Sequence, residues 1–239
     1  MIKGILIDLG KTILTNEDFS FKRGLIAIYE NFDFIKLKTS LNTYLIKADE
    51  YMYLYHERDI TNIEIPFKKY ISLVLKSFNI TSYDEDLVEY TFLKHAMIDN
   101  LMPNVLDFLN YIKSINIPII IVSNSSLSKK ALSNELKSMN ILHYFTDLIS
   151  SSDILYRKPS KEIFDYAFDE IKKYIPNAYK DEIIYIGNDY KLDALGSFNA
   201  GLVSFFYNIE NRKNISNNIN VFYNYLDLIN EIKKSLAWS

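Results

Sequence analysis

Five short apolar runs punctuate the chain: Ile2–Ile7, Ile117–Val122, Leu148–Ser150, Ile183–Ile186 and Leu202–Phe206. Each is too short for a helix, is rich in β-branched residues, and gives way to polar or glycine-containing sequence. That is the pattern of strands buried on both faces. Between most of them the apolar period lengthens to that of amphipathic helices, over Val105–Ser114, Lys129–Met139, Lys161–Tyr174 and Leu192–Ala200. Strands alternating with helices predict an α/β domain built on a parallel sheet. One segment departs from this rhythm. From about residue 16 to about residue 100 the pattern is helical throughout, with amphipathic stretches at Phe34–His56, Glu64–Phe78 and Asp84–Met97. Thr61 stands three residues before Glu64, the spacing of a capping box, and Asp84 stands three before Leu87 at a second plausible helix start. A helical block placed after the first strand and before the second reads as an insertion. The expected division is a core of residues 1–15 and 101–239 and an inserted helical domain of residues 16–100.

With 239 residues, 49% of them hydrophobic, the chain can bury a full core. Charged residues make up 24% and the formal net charge is −3, so nothing electrostatic points to nucleic acid or an anionic membrane as partner. The 19 tyrosines are dispersed and do not cluster with basic residues as a stacking platform for single strands would. The absence of cysteine excludes disulfides, zinc thiolate sites and thiol chemistry together. Lys3, Asp8 and Lys11 interrupt the apolar N-terminal residues, and no run approaches the length of a membrane span, so a cytoplasmic location is expected. The Asn-rich stretch from Asn208 to Asn220 reads as a surface loop, and the wealth of Asn, Ile, Lys and Tyr as compositional bias.

In a parallel sheet, ligands bind beyond the carboxyl ends of the strands, so the residues following each run matter most. After the first come Asp8-Leu9-Gly10-Lys11-Thr12, and after the second Ser123-Asn124-Ser125-Ser126. The third leads toward Arg157-Lys158-Pro159; the fourth is followed by Gly187-Asn188-Asp189 with Asp193 beyond. Carboxylates, a hydroxyl, an amide and a lysine on one rim can hold a divalent cation and a phosphate together. Taken singly, each has a bland reading: Asp and Ser-Asn as turn or capping residues, Lys-Pro as a loop before a helix. Their order, each after a buried strand, carries the argument.

In that order they resemble the four motifs of the haloacid dehalogenase superfamily: Ile5-Leu6-Ile7-Asp8-Leu9-Gly10-Lys11-Thr12, Ile121-Val122-Ser123-Asn124, Arg157-Lys158-Pro159, and Tyr185-Ile186-Gly187-Asn188-Asp189 through Asp193. The resemblance covers nearly the whole chain. It implies a Rossmann-like α/β core, with the helical insertion in the place of a helical cap. It further implies Asp8 as a nucleophile forming an aspartyl-phosphate. Ser123 and the Asn124 amide would hold phosphoryl oxygens. Lys158 would neutralise nucleophile and phosphoryl group, positioned by Asp193. Mg²⁺ would be held by Asp8, the Gly10 carbonyl and the Asn188–Asp189 turn.

Three positions depart from the family pattern. Gly10 replaces the second Asp that serves most of its phosphatases as general acid and base, an assistance worth roughly two to four orders of magnitude in rate. Its loss predicts slow hydrolysis of alkyl phosphates unless the substrate, water or another residue substitutes. Asn188-Asp189 stands where Asp-Ser or Asp-Asp is usual, which leaves either residue as the metal ligand. Lys11 occupies a usual glycine, as a solvated loop residue or a cation facing substrate. In the insertion, Tyr55-His56-Glu57-Arg58-Asp59-Ile60-Thr61 resembles a cap turn from which His56 and Arg58 could reach substrate, although packing or capping is the plainer reading. His95 and His143 are expected to be structural. The leading expectation is a Mg²⁺-dependent phosphatase acting on a small phosphorylated metabolite. Carbon–halogen hydrolysis using the same Asp8 is the first alternative, and a catalytically weakened binding protein on this fold is the second.

Overall fold

A computed structural model describes residues 2–237. The chain opens with β1 (Gly4–Ile7), then β2 (Asp18–Phe19), and enters six helices: α1 (Phe21–Asn31), α2 (Asp33–Lys36), α3 (Leu41–Glu50), α4 (Arg58–Thr61), α5 (Phe67–Lys76) and α6 (Glu85–Ala96). It leaves them through β3 (Met97–Ile98) and continues with α7 (Val105–Ser114), β4 (Ile119–Ser123), α8 (Lys129–Ser138), β5 (Asp147–Ser150), α9 (Ser151–Ile154) and α10 (Lys161–Lys172). Then come β6 (Ile183–Gly187), a π-helical turn over Tyr190–Leu195, α11 (Gly196–Asn199), β7 (Val203–Tyr207), β8 (Asn220–Phe222) and α12 (Tyr225–Ala237).

Strands order as β5-β4-β1-β6-β7-β8, and every neighbouring pair is parallel. Successive strand residues face opposite sides. Ile5, Ile7, Ile119, Ile121, Ile184 and Ile186 join an apolar cluster that runs on into the inserted helices. Leu6, Ile120, Val122 and Tyr185 join a second cluster with Phe164 of α10. The register pairs Ile7 with Ile121 and Ile186, and Ser123 with Ser150. β4 runs on past the end of β1 to Ser123, and the residues beyond these parallel strands share one rim.

Helices α1–α6 occupy the interval between β2 and β3, which pair antiparallel. Thus both crossings between insertion and core run side by side. The helical segment is also bonded to the stretches that follow β4 and α9. Asn62 O accepts from Arg157 N at 2.9 Å, Phe67 N donates to Ser126 O at 2.7 Å, and Ile63 bridges Tyr156.

Several elements differ from expectation. The stretch Phe34–His56 is not one helix: it breaks after α2, and Ser40 caps α3 by accepting from Thr43 N. Thr61 and Glu64 form no capping box. Pro66 sets the start of α5, and the Thr61 hydroxyl turns back to Glu57 O. Glu64 is instead buried, accepting from Arg157 and from Ser151 Oγ. Asp84 does cap α6 through Leu87 N at 3.0 Å. The helix expected at Leu192 begins at Tyr190, with Asp189 as its cap. The Asn-rich stretch is a loop over most of its length, but Asn208 is buried and β8 begins at Asn220. Asparagine also has a structural use here. Asn16, Asn62, Asn79, Asn104, Asn116, Asn140, Asn211 and Asn214 all adopt positive φ. In a chain with only six glycines, asparagine takes the left-handed positions it tolerates best among residues with a Cβ.

Candidate active site

Asp8 is the first residue beyond β1, and its N–H donates to Ile186 O at 2.8 Å, fixing it at the centre of the rim. Its Oδ1 accepts from Lys158 Nζ at 2.6 Å and its Oδ2 from Thr12 Oγ1 at 3.1 Å. Lys158 is buried and donates also to Asp193 Oδ1 at 2.7 Å and to Tyr185 Oη at 2.9 Å. Tyr185 Oη in turn donates to Asp193 Oδ1 at 3.0 Å, and Asp193 Oδ2 accepts from Asp189 N at 2.9 Å. One ammonium thus bridges two carboxylates, with all its donors engaged.

Burial pushes the Asp8 carboxyl up to about 6; Lys158 opposes this and the Asp193 charge adds to it. Burial works to lower the Lys158 ammonium, yet Asp193 and Asp8 outweigh it and hold the pKa above its ordinary value. With both carboxylates ionised, the three groups carry a net charge of about −1 in a poorly solvated place. A phosphate dianion would meet repulsion there unless another cation assisted.

The remaining predicted residues lie around this trio. Ser123 ends β4, is buried, and makes no side-chain hydrogen bond among the described residues, leaving its hydroxyl available to a ligand. The Asn124 side chain is already committed: Nδ2 donates to Lys158 O at 3.0 Å, and Oδ1 accepts from Lys158 N at 2.8 Å. It clamps the backbone of Lys158, so a phosphoryl contact from this residue is left to its backbone N–H. Asn188 and Asp189 point differently. Asn188 Oδ1 lies 3.2 Å from Thr12 Oγ1, the hydroxyl that also reaches Asp8. Asp189 Oδ1 accepts from Lys191 N and Leu192 N at 2.8 Å each, capping the π-helical turn. Gly10 has no positive φ; that conformation falls on Lys11 (φ 54°), which is exposed at the cavity mouth. A Cβ on Gly10 would sit 2.6 Å from Asn16 Nδ2.

These groups line a cavity of about 580 Å³, together with Asn16, Asp99, Glu135, Glu210, Arg212 and an apolar wall that includes Leu93, Leu132 and Leu136. His56 and Arg58 do not line it. Arg58 lies over the Tyr55 ring at 5.0 Å and 3.5 Å from Glu64, a packing role. His95 bonds Thr91 O and His143 stacks on Tyr144, both away from the cavity. Sequence reasoning passed over Tyr185, Asp99 and Glu135. Tyr185 lies within the fourth motif strand, where a lone polar atom in an apolar run was the available signal. Asp99 and Glu135 gave none.

A profile of the haloacid dehalogenase-like hydrolases matches residues 5–207. The chain belongs to that family. Among curated relatives, it is 29% identical to pyrimidine 5′-nucleotidase YjjG of Escherichia coli (strain K12), over 59% of this chain and 63% of that protein. It is 25% identical to glyceraldehyde 3-phosphate phosphatase of Methanothermobacter thermautotrophicus, over 52% of this chain and 51% of that one. The matched region spans less than two thirds of either relative. A solved 2-haloacid dehalogenase from Pseudomonas syringae pv. Tomato DC3000 aligns over the whole of both chains with a TM-score of 0.68 at 16% identity. Phosphatases and a dehalogenase share this fold, so the chemistry of this haloacid dehalogenase-like hydrolase has to be argued from its site. Among its described residues, no helix is long and apolar enough to cross a membrane.

Proposed function

We propose that this hydrolase is a Mg²⁺-dependent phosphatase that cleaves a small phosphorylated metabolite through an aspartyl-phosphate on Asp8. The carrying observation is the buried Asp8–Lys158–Asp193 bridge beside the unengaged Ser123 hydroxyl, in one cavity at the strand ends. Asp8 Oδ1 or Oδ2 attacks phosphorus as the ester P–O bond breaks. Lys158 keeps the nucleophile ionised and offsets charge on the transferred group. Ser123 Oγ and the Asn124 N–H would donate to phosphoryl oxygens. Water then attacks the phosphorus, the P–O bond to Asp8 breaks, and the carboxylate is restored. Asp193 and Tyr185 hold Lys158 in place, and Asn124 holds its backbone.

The donor set suits Mg²⁺. Asp8, the Gly10 carbonyl and the Asn188 amide oxygen are hard oxygen donors, and Thr12 Oγ1 links Asp8 with Asn188. Asp189 spends one oxygen as a helix cap, so Asn188 is the better candidate ligand. Among the described residues, no three His, Cys, Asp or Glu side chains gather as a metal site, which makes the proposed set mixed and lightly charged. When bound, the cation would offset the charge of nucleophile and phosphate together.

The mixed oxygen set and the names of the two curated relatives favour phosphate over halide as the leaving chemistry. The test is a panel of nucleoside 5′-monophosphates, triose and other sugar phosphates, and a 2-haloacid, each with Mg²⁺ or excess chelator. Phosphate release that requires Mg²⁺ and vanishes in Asp8→Asn is expected. Halide release with no phosphatase activity would overturn the proposal.

A further inference from the structure

Gly10 leaves the phosphatase reading short of a proton donor, and Asp99, just beyond β3, brings another carboxyl group to the wall of the same cavity. Gly10 bridges Leu14, and Leu14 bridges Leu101. Thr15 N donates to Asn100 O at 2.9 Å and Met102 N to Ile13 O at 2.9 Å, so residues 13–15 are fastened beside residues 100–102. Asp99 stands at the head of this seam, one residue beyond β3. Its Oδ1 accepts from Asn16 N at 2.8 Å, and the Asn16 side chain fills the space into which a side chain at position 10 would project. The second Asp99 oxygen makes no hydrogen bond among the described residues, and Asp99 lines the same cavity as Asp8.

We infer that Asp99 is the general acid and base of this enzyme, standing in for the absent Asp at position 10, an assignment that rests on the phosphatase reading above. Protonated Asp99 gives its proton to the leaving oxygen as Asp8 displaces it. The resulting carboxylate then takes a proton from the water that attacks the phospho-aspartyl phosphorus, and the cycle closes with Asp99 protonated and Asp8 free. Its surroundings suit the role. Burial raises its pKa first, and the charges of Glu135 on α8 and Glu17 on the connecting loop add to this, against the Asn16 N–H that lowers it. Glu135 itself has an Oε2 that is buried without a hydrogen-bond partner. The other charged groups of the cavity wall are Asp8, Lys11, Lys158, Asp189, Lys191, Asp193, Glu210 and Arg212. The carboxyl is thus held toward its protonated form.

Asp99→Asn keeps the acceptor for Asn16 N and removes only the proton. The experiment compares parent and Asp99→Asn on an alkyl phosphate and on an aryl phosphate with an acidic leaving group, across pH. Acid–base assistance is worth about 10²–10⁴-fold, so in kcat/KM, which reports only the steps up to phosphoryl transfer onto Asp8, the alkyl ester should lose about 10²-fold or more and the aryl ester less than about threefold, while hydrolysis of the shared phospho-aspartate slows for both. The alkyl rate of the parent should fall as pH rises through the Asp99 pKa, and that limb should vanish in Asp99→Asn. Glu135→Gln should shift the limb to lower pH, because removing a negative neighbour lowers the pKa. Equal losses in kcat/KM on both esters, or an unchanged limb, would mean a merely structural Asp99 and overturn the inference with the phosphatase reading intact. A parent protein that hydrolyses neither ester would overturn both.

Discussion

Substituting Gly10 by Asp in the Asp99→Asn background should restore part of the lost alkyl-phosphate turnover. The backbone does not stand in the way. Gly10 lies outside the left-handed region, so a side chain brings no φ penalty. The three atoms nearest the new Cβ all belong to the Asn16 side chain, the closest being Nδ2 at 2.6 Å. That side chain is exposed and its amide has no hydrogen bond among the described residues, so it can rotate aside. An off-rotamer side chain costs on the order of 0.5–1.5 kcal/mol. For a protein of this size, that corresponds to a melting temperature lower by roughly 1–6 °C. Asn16 holds Asp99 through its backbone N–H, which the rotation leaves in place. The regained acid should return at least about tenfold in kcat/KM on alkyl phosphates, about 1.4 kcal/mol of barrier, and little on aryl phosphates. The assay is steady-state kcat/KM for a series of esters ordered by leaving-group pKa. The series should be shallow in the parent, steep in Asp99→Asn, and shallow again in the double variant. Stability lost by more than about 4 kcal/mol would refute the steric reasoning, a loss reserved for severe core or charge defects. A double variant as steep as Asp99→Asn would refute the idea that proton supply separates them.

Two further outcomes follow from the site. Asn188→Asp should tighten Mg²⁺ binding in calorimetry by at least about tenfold, since a unit charge at close range is worth several kcal/mol even at an effective dielectric of about 20; an unchanged affinity would remove Asn188 from the ligand set. Lys158→Met should abolish turnover and lower stability at neutral pH by about 3–5 kcal/mol in urea unfolding, because Asp8 and Asp193 would be left buried without their shared cation. A fully stable Lys158→Met protein would show that solvent reaches these carboxylates.

The sheet was legible because its strands are nearly continuous apolar runs bounded by turn residues. β8 was not: its Asn-Val-Phe sequence sits in an Asn-rich stretch, and only the edge of β7 makes it a strand. The Thr61–Glu64 spacing misled because local capping lost to tertiary demand. Pro66 set the helix start, and Glu64 was drawn inside by Arg157 and Ser151. The motif residues were readable since they gather where a strand ends or a helix begins. Asp99 was not, because its place on the cavity wall beside Asn16 depends on two-residue strands pairing across some eighty positions, a contact no local pattern announces.

The central claim, a covalent phosphoryl group on Asp8, is tested most directly by rapid-quench mass spectrometry with Mg²⁺ and an acyl phosphate, followed by peptide mapping. A phosphoryl adduct on the peptide containing Asp8, formed within the first turnover and absent from Asp8→Asn, is the predicted result. Phosphate release by the parent with no adduct at any quench time, or release that persists in Asp8→Asn, would contradict it.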